Sequence, residues 1–138
     1  MNIKRLIIGC VIGTLALQLL GILIFQNIFA EFFEANSGSA MGVDRDAPIV
    51  WALIVGNLFY AMLLTLALET RSASKSLVDG LKIGVVVGAL LWGTADFVLY
   101  GLTNLSTLTG TVADTLLEGV RGGIAGGVIA AVLSKVGD

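Results

Sequence analysis

The chain has 138 residues, of which 57% are hydrophobic and 13% are charged, and its net charge at neutral pH is −2. A soluble domain carries about 25% charged residues, so this chain has too few to cover a soluble domain with a hydrated surface. It also has no basic patch of the kind that binds nucleic acid. The composition predicts an all-α integral membrane protein that forms one domain, residues 1–138, with the lipid bilayer as its surroundings.

Four long apolar stretches divide the chain. Each reaches the roughly 20 residues that a helix needs to cross a hydrocarbon core about 30 Å thick. Backbone amides in lipid must be bonded within their own segment, so each stretch is predicted to be a helix. The first stretch is longer than the apolar core of a signal peptide, about 7–15 residues, and we expect it to be a retained helix. The sequence thus predicts a four-transmembrane-helix bundle with helices at about 6–30, 49–68, 81–102 and 112–133.

The positive charges are distributed unevenly along the chain. Six lysines and arginines flank the two termini and the connection between the second and third stretches, whereas the connection between the first and second has only Arg45 beside four acidic residues. By the positive-inside rule, both termini are predicted to lie in the cytoplasm and the protein to lie in the cell's inner membrane. The six residues are Lys4, Arg5, Arg71, Lys75, Lys82 and Lys135.

Two connections are predicted to lie on the outer side of this membrane. The connection from 31 to 48 is the longest, and its polar residues 36–39 are typical of a flexible turn in a solvated loop. The connection after residue 102 is short, so the third and fourth helices should be antiparallel neighbours. Its small polar side chains are predicted to cap the helix ends; they are Thr103, Asn104, Ser106 and Thr107.

Many of the 18 glycines recur at a spacing of four. Lipid gives no hydrophobic driving force for helix association, so small residues promote packing by letting backbones approach closely. Two interpretations remain open: packing within the bundle, or an interface on the fourth helix for a homo-oligomer or a membrane-protein partner. The stripe considered for that interface is Gly119, Gly123 and Gly127; other spaced sets are Gly9 and Gly13, Gly80, Gly84 and Gly88, and Gly122 and Gly126.

Charged residues inside the apolar stretches are candidates for function. A charge at the bilayer centre costs roughly 2.5–3.5 kcal/mol on insertion scales. Asp114, Glu118 and Arg121 share one stripe of the fourth helix. Measured from helix ends at 102 and 112, Asp96 and Glu118 both lie about 9 Å below the outer end and Arg121 about 13 Å. We therefore expect Asp96, Glu118 and Arg121 to meet.

The candidate ligand-binding residues are Asp96, Glu118, Arg121, Asn57 and Trp92. One interpretation is a buried ion network that fixes the helices. The other is a polar site that opens outward and binds an anionic group through Arg121, or a cation or proton through the acids. Two carboxylates against one guanidinium leave one acid unpaired, which favours a functional role.

Several reaction types find no support in the sequence. The chain has no histidine and a single cysteine, Cys10, so a Cys/His metal site is not expected within one subunit. Neither a nucleophile elbow nor a phosphate-binding loop is present, so no catalytic residue, metal or cofactor is predicted. The leading hypothesis is binding or transport of a small solute or ion. The alternative is a non-catalytic accessory or assembly subunit that docks through its glycine-rich faces.

One run of residues resembles a known family. Tyr100-Gly-Leu-Thr-Asn-Leu-Ser-Thr-Leu108, followed by Asp114 and a helix of small residues, is similar to a family of small bacterial inner-membrane proteins of unknown function. The resemblance covers about residues 84–133, and Gly101 stands where the family has an aspartate. It implies a four-helix inner-membrane protein and brings no activity with it.

Overall fold

The computed structural model describes residues 2–70 and 76–136, and these residues are helical without any β-strand. Four helices are long and apolar enough to cross a membrane, as predicted. Arg71 and Lys75, which entered the orientation prediction, lie outside the described residues. The elements in chain order are α1 (Ile3–Gly21), a π-helical stretch (Ile22–Ile28), α2 (Ala30–Ala35), α3 (Val50–Glu69), α4 (Leu77–Leu102) and α5 (Leu108–Leu133).

The first spanning helix changes its winding partway along. After Gly21 the chain continues as a π-helix, in which the N–H of Phe29 bonds to the carbonyl of Ile24, five residues earlier, at 2.9 Å. The side-chain amide of Asn27 donates to the carbonyl of Ile22 at 2.8 Å. This bond gives one backbone carbonyl of the wider turn a hydrogen-bond partner. π-Helical insertions are rare in proteins, and those that exist are often found at functional sites.

Helices α4 and α5 each begin four residues before the predicted start. In α4, the hydroxyl of Ser76 accepts from the N–H of Asp79 while the Asp79 carboxylate accepts from the N–H of Ser76, a capping box. In α5, the hydroxyl of Thr107 accepts from the N–H of Gly110 at 3.1 Å. The capping role predicted for Thr107 is therefore confirmed, as is that of Thr103, which closes the C-terminal end of α4.

Helix α5 lies at the centre of the bundle and packs most extensively against α4. The two helices approach so closely that a Cβ at Gly84 would collide with the carbonyl of Gly122. The same relation holds one turn away in each direction: Gly80 lies against Gly126, and Gly88 lies against the carbonyl of Glu118. Glycine thus supplies the close approach at three successive turns of α4.

The connections after α2 and after α4 bind each other. Gly38 donates its N–H to the carbonyl of Leu105 at 2.9 Å, and Thr107 donates its N–H to the carbonyl of Asn36 at 3.0 Å. A third bond joins Ala40 to Asn104 at 3.0 Å. We call residues 36–40 and 104–107 the clasp. The segment predicted as a flexible turn, 36–39, is thus paired with backbone groups of the short α4–α5 connection, and its flexibility stays a prediction.

The opposite end of the bundle holds both termini of the described chain. Arg5 is buried there and forms an ion pair with Glu69 of α3 at 3.1 Å. It also donates to the backbone carbonyl of Val136, just after α5. One guanidinium thus ties α1, α3 and the segment after α5 together. We refer to this as the terminal end, and to the other as the clasp end.

Candidate functional site

Arg121 bonds to three spanning helices from its position on α5. Its Nη1 donates to the Glu118 carboxylate at 2.8 Å, and its Nη2 donates to the Asn57 amide oxygen of α3 at 2.6 Å. Nε and Nη2 also donate to the backbone carbonyl of Leu17 in α1, at 3.1 and 2.9 Å. Both Arg121 and Glu118 are buried. The guanidinium fork therefore fixes α1, α3 and α5 in one arrangement.

Neighbouring side chains complete this arginine network. The Asn57 amide nitrogen donates to the Gln18 side-chain oxygen at 2.6 Å, so Asn57 uses both ends of its amide inside the network. The ring of Tyr60 lies 5.9 Å from the guanidinium carbon of Arg121, within the range of a cation–π contact. The absence of a side chain at Gly21 makes room, since a Cβ there would lie 3.1 Å from Arg121 Nη2. Arg121 and Glu118 balance each other's charge at the centre of the network.

Asp96 forms its hydrogen bond outside the arginine network. Its carboxylate accepts from the hydroxyl of Thr115 at 2.9 Å, and its carboxyl group is close enough to that of Asp114 to interact. The helix ends explain this difference from the expected meeting with Arg121. Asp96 lies about 9 Å below the end of α4 at Leu102, but α5 begins at 108, so Asp114 has that depth and Glu118 lies about 15 Å down.

Two cavities accompany these two groups of side chains. A cavity of about 290 Å³, the arginine cavity, lies beside Arg121 between α1, the π-helical stretch, α3 and α4. A second cavity of about 240 Å³, the carboxyl cavity, lies under the clasp and is lined by Asp96 and Asp114. The arginine cavity is lined by Gln18, Gly21, Ile22, Phe25, Gln26, Ala52, Leu53, Gly56, Asn57, Tyr60, Trp92 and Arg121.

Two buried polar atoms in the described part of the chain have no hydrogen-bond partner: Trp92 Nε1 and Glu118 Oε2. Leaving a buried donor or acceptor unbonded costs about 1–3 kcal/mol. Trp92 lines the arginine cavity, and its indole nitrogen is covered by neighbouring protein atoms that do not bond to it. A molecule that accepts a hydrogen bond there would remove the cost at Trp92.

The predicted site residues thus separate into two sets. Arg121, Glu118 and Asn57 are joined by hydrogen bonds, and Trp92 lines the same cavity, whereas Asp96 belongs to the carboxyl cavity.

Sequence reasoning missed four further residues of the network, Gln18, Tyr60, Leu17 and Gly21. Gln18 could have been found, because it is a polar residue in an apolar helix. The Leu17 carbonyl and the space left by Gly21 had no such signal, since their roles depend on how the helices pack.

Comparisons of this chain with protein-family models, with characterised proteins and with solved structures give no match. The family resemblance of the α4–α5 region therefore stays a prediction.

Proposed function

We propose that this protein binds a small solute in the arginine cavity, within the half of the membrane on the clasp side. The observation that carries the proposal is the unpartnered indole N–H of Trp92, a residue that lines this cavity. Ligand sites are largely apolar, with a few polar groups that fix orientation. The aromatic and aliphatic walls here, with the amides of Gln18 and Gln26, have that character.

The hydrogen bonds within the network indicate what the solute offers. Asn57 and the bonded oxygen of Glu118 are engaged by Arg121, and the Gln18 oxygen is engaged by Asn57. The groups left to the cavity are mostly donors, namely the Trp92 N–H, the Gln18 side-chain nitrogen and the nitrogen of the Gln26 amide, whose oxygen is the one acceptor among them. The solute therefore presents acceptors, such as carbonyl or ether oxygens. Because the charge of Glu118 balances that of Arg121, the solute needs no negative charge.

The positive-inside distribution supports an orientation with both termini in the cytoplasm of an inner-membrane protein. In this orientation the clasp and the arginine cavity lie in the outer half of the membrane. Binding there is the first step that transport of the solute would need.

The accessory-subunit alternative gains no support from the glycine stripe. Gly119, Gly123 and Gly127 lie against Ala89, Val85 and Leu81 of α4, so packing inside the chain already uses that face. An interface through these glycines stays a prediction, and the solute site is the proposal that the geometry favours.

Filling the cavity tests the proposal. Gly56 lines it, and no atom lies within 4 Å of the place of a Cβ there, so Gly56→Leu adds a side chain without a collision at Cβ. Gly101→Leu is the matched control, because Gly101 also has open space but lines neither cavity. Intact-mass measurement of protein purified in mild detergent, without added ligand, reports any small molecule that co-purifies.

We expect a small-molecule adduct on the wild type and on the Gly101→Leu control, and none on Gly56→Leu. A bare wild-type mass, or an adduct of equal occupancy on Gly56→Leu, would contradict the proposal.

A further inference from the structure

We infer that the solute is a single-chain amphiphile with an uncharged carbonyl head, and that it enters the arginine cavity sideways from the bilayer, between α3 and α4. The inference rests on the proposed function and adds the ligand's class and its route.

The route is the seam between α3 and α4, which pack far less closely against each other than α4 and α5 do. Three recesses follow one another along this seam. The arginine cavity is nearest the clasp end, and an apolar cavity of about 340 Å³ comes next. A recess of about 310 Å³ near the terminal end includes Thr70 and Lys82. The bundle is thus open to the bilayer along one of its sides.

The first two recesses adjoin each other. The arginine cavity and the apolar cavity share Gly56, Tyr60 and Trp92 as lining residues. Gly56 leaves open space where a side chain would separate them. Trp92, whose indole N–H has no partner in the described chain, therefore lines both the polar recess and the apolar one.

The order of polarity along the seam matches the orientation of a lipid in the clasp-side leaflet. The amides of Gln26 and Asn57 are nearer the membrane surface. Deeper, counted along α3 and α4 from the clasp end, the walls are Phe59, Leu63 and Leu91 beside the two shared aromatics. A molecule with an acceptor head toward the surface and a hydrocarbon chain toward the midplane fits this order, whereas a wholly polar solute would leave the apolar part unused.

The walls of the seam also argue against a partner helix as the occupant. Helices in membranes approach each other through small residues, but Phe59, Leu63 and Leu91 are large and keep a neighbouring backbone at a distance. A flexible hydrocarbon chain needs no such close approach. The head is uncharged because the Glu118–Arg121 pair is already balanced, and a carbonyl oxygen accepts the bond that Trp92 offers.

Quenching of Trp92 fluorescence by brominated amphiphiles tests the inference. The chain has two tryptophans, so Trp51→Phe leaves Trp92 as the sole reporter. This variant is placed in phosphatidylcholine vesicles, and monoacylglycerol brominated at mid-chain is titrated in. Brominated phosphatidylcholine measures quenching by random contact, and a brominated monoacyl phosphate tests whether the head must be charged.

We expect brominated monoacylglycerol to quench Trp92 saturably, at mole fractions about tenfold lower than brominated phosphatidylcholine does. Adding Ala95→Phe, which fills the apolar cavity, should abolish the difference. Leu90→Phe, which adds its ring to an exposed position that lines neither cavity, should preserve it. Elution of each variant as the same monodisperse species in detergent checks that it has folded.

Equal quenching by brominated monoacylglycerol and brominated phosphatidylcholine would overturn the inference. Saturable quenching by the monoacyl phosphate alone would overturn it as well. A co-purifying protein that Ala95→Phe displaces would overturn it in favour of a partner helix. If Gly56→Leu still removes the native adduct while monoacylglycerol does not bind, the proposed function stands and only the ligand class fails.

Discussion

At the scale of single residues, Arg121 is the side chain on which the site depends. It is buried, it bonds to α1 and α3, and its charge is balanced by Glu118 three residues earlier on the same helix. A buried ion pair is no proof of stabilisation by itself, but breaking one by removing a single partner is strongly destabilising. Arg121 and Glu118 therefore act first as the frame of the cavity, and only Arg121 is also part of its lining.

Arg121→Gln should lower the free energy of unfolding by about 3–5 kcal/mol, because the Glu118 carboxylate is then buried without a counter-charge. The double variant Glu118→Gln/Arg121→Gln should recover a large part of that loss, since no charge remains unpaired. Thermal unfolding of the three proteins in one detergent measures the difference. A double variant that is as unstable as Arg121→Gln would mean that the hydrogen bonds to Leu17 and Asn57, rather than charge balance, hold the frame.

The sequence identified much of this site at the residue scale, and its limits have physical causes. Arg121, Glu118 and Asn57 are costly in an apolar helix, so each was recognisable alone. Which of them meet depends on helix depth, and the depth of Glu118 was misjudged because α5 begins at Leu108 rather than at 112. Thr107, a capping residue, carried the information that would have corrected it.

At the scale of elements, the α4–α5 pair is the rigid half of the bundle. Three glycines of α4 lie against the backbone of α5, and this contact fixes the register of the two helices. The spacing of these glycines could be read from the sequence, but their partner could not, because glycine stripes on two helices allow pairing within or between chains. The π-helical stretch of the first span had no signal in the composition, although it lines the arginine cavity.

Gly84→Ala should destabilise the protein by about 1–3 kcal/mol, the usual cost of overpacking, because its Cβ would collide with the carbonyl of Gly122. Gly101→Ala lies on the same helix in open space and should leave stability unchanged or slightly raised, as alanine is the better helix former. Denaturation of both variants in the same detergent compares them. Equal stabilities would contradict the close backbone contact of α4 and α5.

At the scale of the whole molecule, the two ends are tied and one side is open. The clasp joins two connections at one end, and Arg5 joins α1, α3 and the segment after α5 at the other. Between these ends the α3–α4 seam has the recesses described above.

Orientation is also a property of the whole molecule, and cysteine labelling tests it. Met41, in the connection between α2 and α3, is 93% exposed, and Lys135 is exposed at the terminal end. We expect a membrane-impermeant maleimide applied to intact cells to label Met41→Cys but not Lys135→Cys until the cells are opened. The wild type, whose single cysteine Cys10 is buried, gives the background. The reverse pattern would place the cavity on the cytoplasmic side.

The central claim is that the arginine cavity holds a ligand bonded to the Trp92 N–H, and Trp92→Phe tests it most directly. Phenylalanine keeps an aromatic ring but removes a buried donor that has no partner in the described chain. Ligand-free protein should therefore be as stable as the wild type or more so. The affinity for the co-purified ligand, obtained from the occupancy of its adduct in native mass measurements, should fall about tenfold, which corresponds to roughly 1.4 kcal/mol. Undiminished occupancy in Trp92→Phe, or a wild type without any adduct, would contradict the account.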